Sequence, residues 1–200
     1  MSSTTASGYA SSSSNATSTA PGAAQAWDVD PSHSSANFKV RHLMVSHVRG
    51  ELGPVAGAVW IDDQDITRSR IDVSIDARKI ATRDEKRDEH LRSADFLDVE
   101  RFPTLTYRST AIRPDGDGFV VDGDLTLHGV TRPVPLALEV NGFLAESPFG
   151  DSRVGLSASA EISRKDFGIA FDAPLEGGGV VVGDRIQIAL EVEAVLQPEG

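Results

Sequence analysis

The stretch Ile186-Gln187-Ile188-Ala189-Leu190-Glu191-Val192 places a large apolar side chain at every second position. Successive side chains of a β-strand point to opposite faces, so this period predicts a strand with one apolar face and one face in water. Only one stretch, near residues 83–94, has a helical pattern instead, and the chain is therefore predicted to be all-β. The alternation is clearest in five other segments: Ile71-Val73-Ile75, Leu105-Tyr107, Phe119-Val121, Leu125-Leu127 and Val134-Leu136-Leu138-Val140.

Eight predicted strands account for this alternation. Nothing else in the sequence is large enough to cover their apolar faces, so they must close into a barrel or pair as a sandwich. An antiparallel barrel of about eight strands can hold one small ligand. A two-sheet sandwich would be filled by its own side chains, and the alternation alone does not choose between the two. The strands are predicted at residues 36–41, 48–61 (with a bend at Gly53-Pro54), 70–77, 104–113, 118–128, 133–144, 153–163 and 184–196.

The helical stretch begins with a capping pattern. Thr82 and Glu85 have the spacing of a capping box, in which each side chain accepts a hydrogen bond from the other residue's backbone amide. The helix is too polar to lie in a core, so it is predicted to lie across one end of the barrel, although a solvated connection remains open. Its side facing the barrel mouth is predicted to carry Arg87, His90 and Leu91.

The first 26 residues differ in composition from the rest. They contain no Asp, Glu, Lys or Arg and are rich in Ser, Thr and Ala, which predicts a disordered tail at 1–26 followed by one barrel domain at 27–198. The tail lacks the basic start and apolar run of a secretory signal, so a cytoplasmic location is expected. No stretch has the roughly 20 apolar residues of a membrane-spanning helix, so no integral membrane segment is expected.

The charge balance excludes some partners. A formal net charge of −11 disfavours nucleic acid, whose binding needs a basic face, and it disfavours electrostatic docking on anionic lipid. The chain has no cysteine, which excludes disulfides and thiol chemistry.

No catalytic or metal-binding pattern is present among the five histidines. They show neither H-x-H nor H-E-x-x-H spacing, so no metal site and no cofactor are expected. His33 and Ser34 are adjacent, but neighbours in a strand point to opposite faces and no G-x-S-x-G elbow exists. Catalytic residues are therefore not predicted.

Several segments, in order along nearly the whole of residues 27–197, resemble motifs of the YceI-like, polyisoprenoid-binding family. Because the segments are many and keep their order, the resemblance is specific, and only the tail lies outside it. They are His33-Ser34 with Phe38-Lys39-Val40-Arg41-His42-Leu43, Ser46 with Val48-Arg49-Gly50, residues 87–96 (RDEHLRSADF), Phe102-Pro103-Thr104, residues 123–131 (GDLTLHGVT), residues 162–168 (ISRKDFG) and Val182-Gly183-Asp184.

This resemblance implies an eight-stranded antiparallel lipocalin-like barrel, often a homodimer. It also implies a long apolar cavity that takes up an extended lipid, such as a polyisoprenoid, a quinone or a fatty-acyl-like chain, without chemistry. Ala81, Leu52 and Val55 depart from the family's usual residues, and the last two are expected to reshape the cavity. The residues predicted to contact the lipid are Phe38, Val40, Leu43, Val73, Ile75, Arg87, His90, Leu91, Phe96, Leu105, Tyr107, Phe119, Leu125, Leu127, Phe167, Phe171, Ile188 and Leu190.

Three other functions remain open at the level of sequence. A small barrel enzyme with a histidine base would need a buried histidine near a carboxylate facing the cavity. A haem-binding barrel would need a histidine ligand. A ligand-free, stress-associated module would have an interior filled completely by its own side chains.

Overall fold

The structure is a computed structural model and describes residues 24–173 and 180–198. In this part of the chain it contains eleven β-strands and the helix α1, Glu85–Arg92, and no helix is long and apolar enough to span a bilayer. The strands are β1 Gln25–Val29, β2 Ser35–His42, β3 Ser46–Glu51, β4 Val55–Ile61, β5 Arg70–Asp76, β6 Thr104–Asp115, β7 Gly118–Leu127, β8 Val130–Pro133, β9 Leu136–Leu144, β10 Arg153–Ser163 and β11 Val182–Leu196.

Eight of these strands close into an antiparallel barrel, which confirms the predicted fold. Their order around the barrel is β1-β4-β5-β6-β7-β9-β10-β11, and β11 pairs with β1 to complete the ring. Strand β11 is 15 residues long, so its last residues pair with β1 while its first residues pair with β2. The β2–β3 hairpin therefore continues the barrel wall at one end, and β8 adds to the edge of β7.

The structure differs from the predicted strands at three places. The short strand β8, Val130–Pro133, was not predicted. Strand β1 was not predicted, and it begins at Gln25, so two residues assigned to the tail belong to the barrel. Residues 1–23 lie outside the described part of the chain. The predicted strand 48–61 is two strands separated at Gly53, whose φ of 136° is accessible to glycine and whose added Cβ would lie 2.3 Å from the Asp76 carbonyl oxygen.

The capping box predicted for the helix is wrong. The N-cap is Asp84, which directly precedes the helix in an extended conformation and accepts a hydrogen bond from the Arg87 amide. Thr82 is instead bound to the buried Asp88, whose carboxylate accepts from the Thr82 amide at 2.8 Å and from its hydroxyl at 2.5 Å. Thr82 thus ties the helix to the preceding loop rather than capping it.

The helix and the β2–β3 hairpin lie at the same end of the barrel, here called the upper end. Strand β5 ends and β6 begins beside the helix, and the backbone of Ala81 pairs with that of Glu51 at the end of β3. The loop between β9 and β10 lies at the opposite, lower end. Buried side chains near the lower end include Trp27, Ile61 and Ile112.

Candidate functional site

The barrel encloses an apolar cavity of about 180 Å³. Inward side chains of β2, β4 to β7 and β9 to β11 form its walls, because every second residue of each strand points inward. Ala158 and Ala160 on β10 are short, and they leave space opposite the larger aliphatic side chains. Thr106, Tyr107 and Arg164 also belong to the lining, but among the described residues no polar atom is exposed to the cavity.

Most of the predicted lipid-contacting residues are brought together in this lining. They come from β2, β5, β6, β7 and β11, with the helix and the loop after it adding residues at the upper end. The sequence pattern was sufficient to place those on strands and on the helix, because each lies on the apolar face of its element, whereas Phe96 lies in the loop after the helix. They are Phe38, Val40, Val73, Ile75, Leu91, Phe96, Leu105, Tyr107, Leu125, Leu127, Ile188 and Leu190.

Two polar residues predicted at the mouth do not line the cavity. The guanidinium of Arg87 turns back on the preceding loop, where it donates to the Thr82 hydroxyl at 2.6 Å and the Thr82 carbonyl at 2.9 Å. His90 is exposed, and its Nε2 lies 2.8 Å from the Asp95 carboxylate. The helix therefore gives only Leu91 to the lining.

Four predicted apolar contacts also lie outside the lining. Leu43 is exposed at the tip of the β2–β3 hairpin, and Phe119 is half-buried at the start of β7, near the lower end. Phe167 is buried in the short helical turn after β10. Phe171 packs beside Phe96, with ring centroids 4.9 Å apart.

Other lining residues were missed by the sequence prediction. Those on β4, β9 and β10 follow the same alternation and could have been found from it. Ile80, Leu97 and Ile169 come from loops, where no periodicity marks an inward side chain. Leu52 and Val55, two of the three departures from the family pattern, line the cavity. The remaining missed residues are Val59, Ile71, Thr106, Val134, Leu136, Leu138, Leu156, Ala158, Ala160, Ile162, Arg164, Val182, Ile186 and Val192.

Arg164 holds the upper end together beside the cavity. It is 3% exposed, and its guanidinium donates to the carbonyl oxygens of Ile169 at 2.8 Å, Gly183 at 3.0 Å and Val182 at 3.2 Å. These bonds join the end of β10 to the beginning of β11. No carboxylate of the described residues pairs with this cation, so carbonyl dipoles replace its hydration.

Tyr107 contributes a buried phenol hydroxyl to the wall of the cavity. Its Oη lies 3.0 Å from the carbonyl oxygens of both Val121 and Val134, to which its single proton can donate. Gly123 provides the space for the ring, since an added Cβ there would lie 2.5 Å from the phenol. Burial raises the pKa of Tyr107, and the nearby Asp122 and Asp124 raise it further.

The buried phenol predicts an alkaline loss of stability. Because the folded pKa is raised, Tyr107 contributes its full stability below its unfolded pKa of about 10, and this contribution is lost as pH rises above that value. We expect Tyr107→Phe to cost about 1 kcal/mol at neutral pH, with the difference from wild type shrinking above pH ~10. Urea unfolding between neutral and alkaline pH measures this, and a constant difference would contradict it.

The cavity lining contains none of the five histidines, all of which the structure describes. Asp30, His33 and Glu193 bring their ligand atoms within 4.8 Å of one another near the surface. The guanidinium of Arg153, however, donates to both Asp30 and Glu193, so an arginine already balances the negative charge of these two carboxylates.

The geometry thus supports reversible binding of an apolar molecule, and comparisons with known proteins agree with this architecture. A model of the YceI-like domain family matches residues 27–194. The YceI protein of Escherichia coli O17:K52:H18 is 35% identical over 170 residues, which cover 85% of each chain. A UPF0312 protein of Vibrio vulnificus is 38% identical over 143 residues, which cover 71% of this chain and 75% of the relative.

Solved structures show the same barrel. The YceI protein of Campylobacter jejuni matches with a TM-score of 0.66 and 26% identity, over 80% of this chain and 90% of the other. A polyisoprenoid binding domain from Saccharophagus degradans matches with a TM-score of 0.63 and 15% identity, over 86% and 99% of the two chains, which shows a shared fold. Since the family model covers almost all of the described barrel, the chain belongs to the YceI-like family.

Proposed function

We propose that this protein binds one extended apolar lipid in the barrel and stores or transports it without chemical change. The observation that carries the proposal is the cavity of about 180 Å³ whose exposed surface is apolar. Such a surface offers a chain dispersion contacts and removal from water, but no group that reacts with it. The polyisoprenoid binding of the Saccharophagus degradans domain, a protein of the same fold, supports this class of ligand.

The cavity size sets an expectation for the chain. One water-sized sphere needs about 10–15 Å³ of such volume, so the cavity has room for roughly a dozen methylene-sized groups. Each buried methylene contributes about 0.8 kcal/mol, and ordering of the chain offsets part of that sum. Affinity is thus expected to rise with chain length until the cavity is full.

Two alternatives are less well supported. An interior filled by its own side chains is contradicted by the cavity itself. A histidine base or haem ligand would have to face the interior, whereas His33, His47 and His90 are exposed and the half-buried His42 and His128 lie outside the lining.

The direct test is native mass spectrometry of freshly purified protein, followed by organic extraction of any released molecule. We expect a chain-like lipid at one per protein. Uptake of linear fatty acids of increasing length should strengthen up to roughly a dozen carbons and then level off. A protein that purifies empty and takes up neither prenyl nor acyl chains would contradict the proposal.

A further inference from the structure

The tip of the β2–β3 hairpin exposes three consecutive apolar side chains. Leu43 is 40% exposed, Met44 is 46% exposed and Val45 is 83% exposed. They lie at the upper end, where the Leu43 amide donates to the carbonyl oxygen of Val181, the residue directly before β11. Three adjacent apolar side chains on a projecting loop form a small patch available to a partner.

The backbone of this tip is strained. Leu43 and Met44 adopt φ angles of 50° and 60°, in the left-handed region that favours glycine and asparagine. Bulky side chains in this conformation cost free energy that a glycine would avoid, and such strain concentrates at functional sites. Turn chemistry alone therefore does not account for two large apolar residues at this tip.

A basic cluster flanks the tip on the outer face of the hairpin. Lys39 lies opposite Arg49 in the strand register, so like charges face each other directly, and Arg41 lies opposite the imidazole of His47. Cross-strand pairs of like charge are destabilising. Among the residues that the structure describes, none of these four forms an ion pair. Desolvation lowers the pKa of His47, and the charges of Lys39, Arg41 and Arg49 lower it further.

This local charge is opposite to that of the whole chain. The net charge of −11 predicts repulsion from an anionic surface, but Lys39, Arg41 and Arg49 concentrate positive charge behind the apolar tip. Cationic groups within a Debye length of an anionic bilayer are attracted to it individually. The hairpin thus has the sign of charge that suits such a surface.

We propose that the β2–β3 hairpin docks the protein on an anionic lipid bilayer, with residues 43–45 in the interfacial layer and Lys39, Arg41 and Arg49 against the lipid phosphates. Apolar side chains of this kind gain free energy on leaving water. The basic groups gain from the anionic headgroups, which also relieve the repulsion between the paired strands.

A second copy of the chain fits this surface less well. A tip-to-tip dimer would place two basic clusters against each other, and like charges across an interface oppose association. The tip of one copy could instead contact the lower end of another, where Phe143, Leu144 and Phe149 are exposed. Such a head-to-tail contact joins two different surfaces, so the first and last molecules of the resulting chain would each keep one apolar surface exposed. An anionic bilayer offers an apolar interfacial layer for the tip and negatively charged headgroups for the basic cluster.

Docking at this place would also bring the membrane to the cavity. Phe38 and Val40 lie on the inner face of the same strand β2, and both belong to the cavity lining. An apolar molecule leaving the bilayer at the tip would therefore meet the lining within the same hairpin. This exchange step rests on the proposed lipid binding, whereas docking itself does not.

The test is flotation of the full chain with vesicles of phosphatidylcholine alone or mixed equally with phosphatidylglycerol. Wild type should float with the mixed vesicles and not with the neutral ones. Val45→Asp should abolish flotation. Arg49→Glu should weaken it about twenty-five-fold, because it changes two charge units at about a fivefold effect each. It also turns the like-charge pair with Lys39 into an opposite pair, so loss of folding is not expected.

Phe149→Asp is the matched control, because Phe149 is 80% exposed at the other end of the barrel. This variant should float like wild type. Failure of wild type to float, equal flotation with neutral vesicles, or unchanged flotation of both hairpin variants would overturn docking. Self-association of wild type that Val45→Asp abolishes, without flotation, would assign the tip to a second copy instead. A protein that extracts with lipid but does not float would overturn docking while leaving lipid binding intact.

Discussion

Ala158→Phe is expected to weaken binding of a long-chain lipid at least about a hundredfold, since the ring takes the place of about four methylene groups at about 0.8 kcal/mol each. Ala158 lies in the middle of β10, between Leu138 and Leu190, and all three line the cavity. A phenyl ring there projects into existing space. Filling space of this kind leaves the free energy of unfolding unchanged or raises it by about 1 kcal/mol.

Ala137→Phe provides the matched control for this prediction. Ala137 is exposed on the outer face of β9, next to Leu138 in the chain. It should bind lipid like wild type. Titration of both variants with a fluorescent fatty acid, together with urea unfolding, separates occupation of the cavity from misfolding. A stable Ala158→Phe variant with wild-type affinity would show that the lipid binds elsewhere.

Arg164→Met is expected to lower the free energy of unfolding by about 3 kcal/mol, because it leaves carbonyl acceptors at the upper end without their donor. The carbonyl of the buried Ile169 has the least access to water as a replacement. Those of Val182 and Gly183 are at half-buried residues, where water can compensate in part. Urea unfolding at neutral pH measures the loss.

The control for this second prediction is Arg132→Met. Arg132 is exposed and its Nε donates to one carbonyl oxygen, that of Asp166, so the expected change is within about 0.5 kcal/mol. Arg164→Lys should recover part of the loss, since one ammonium cannot reproduce a guanidinium that reaches three carbonyls. If Arg164→Met and Arg132→Met lowered the free energy of unfolding equally, the buried hydrogen bonds of Arg164 would contribute no more to stability than the exposed one of Arg132.

The alternation of β5, β6, β7 and β11 was enough to predict the strands and most of the lining residues named on them, although the predicted site omitted Ile71, Ile186 and Val192. In a strand, the face of a side chain follows from its position in the sequence alone. The alternation failed for β1, a short strand whose place is set by pairing with both β4 and β11. It also placed Phe119 in the site, although that residue lies towards the lower end and outside the lining.

The helix shows where sequence reasoning reached its limit. The sequence predicted its approximate position, but Asp84 rather than Thr82 caps it. The guanidinium of Arg87 donates hydrogen bonds to Thr82 instead of facing the cavity. Which acceptor a flexible polar side chain reaches depends on loops folded beside it, not on helical spacing. For the same reason, no pattern in the sequence marked Arg164 as a buried cation.

By itself, the alternation determined an all-β fold whose strands each have one apolar face, because period two assigns each side chain to a face without reference to distant residues. It left open whether those faces enclose a barrel or fill a sandwich. Only the tertiary structure decided that the barrel closes through β1 and β11 and that Ala158 and Ala160 face an unfilled space. It also decided that Lys39 lies opposite Arg49 and Arg41 opposite His47 beneath an apolar tip. Closure, cavity and cluster depend on strand register and on the sum of side-chain volumes across the barrel, which are properties of the packed chain.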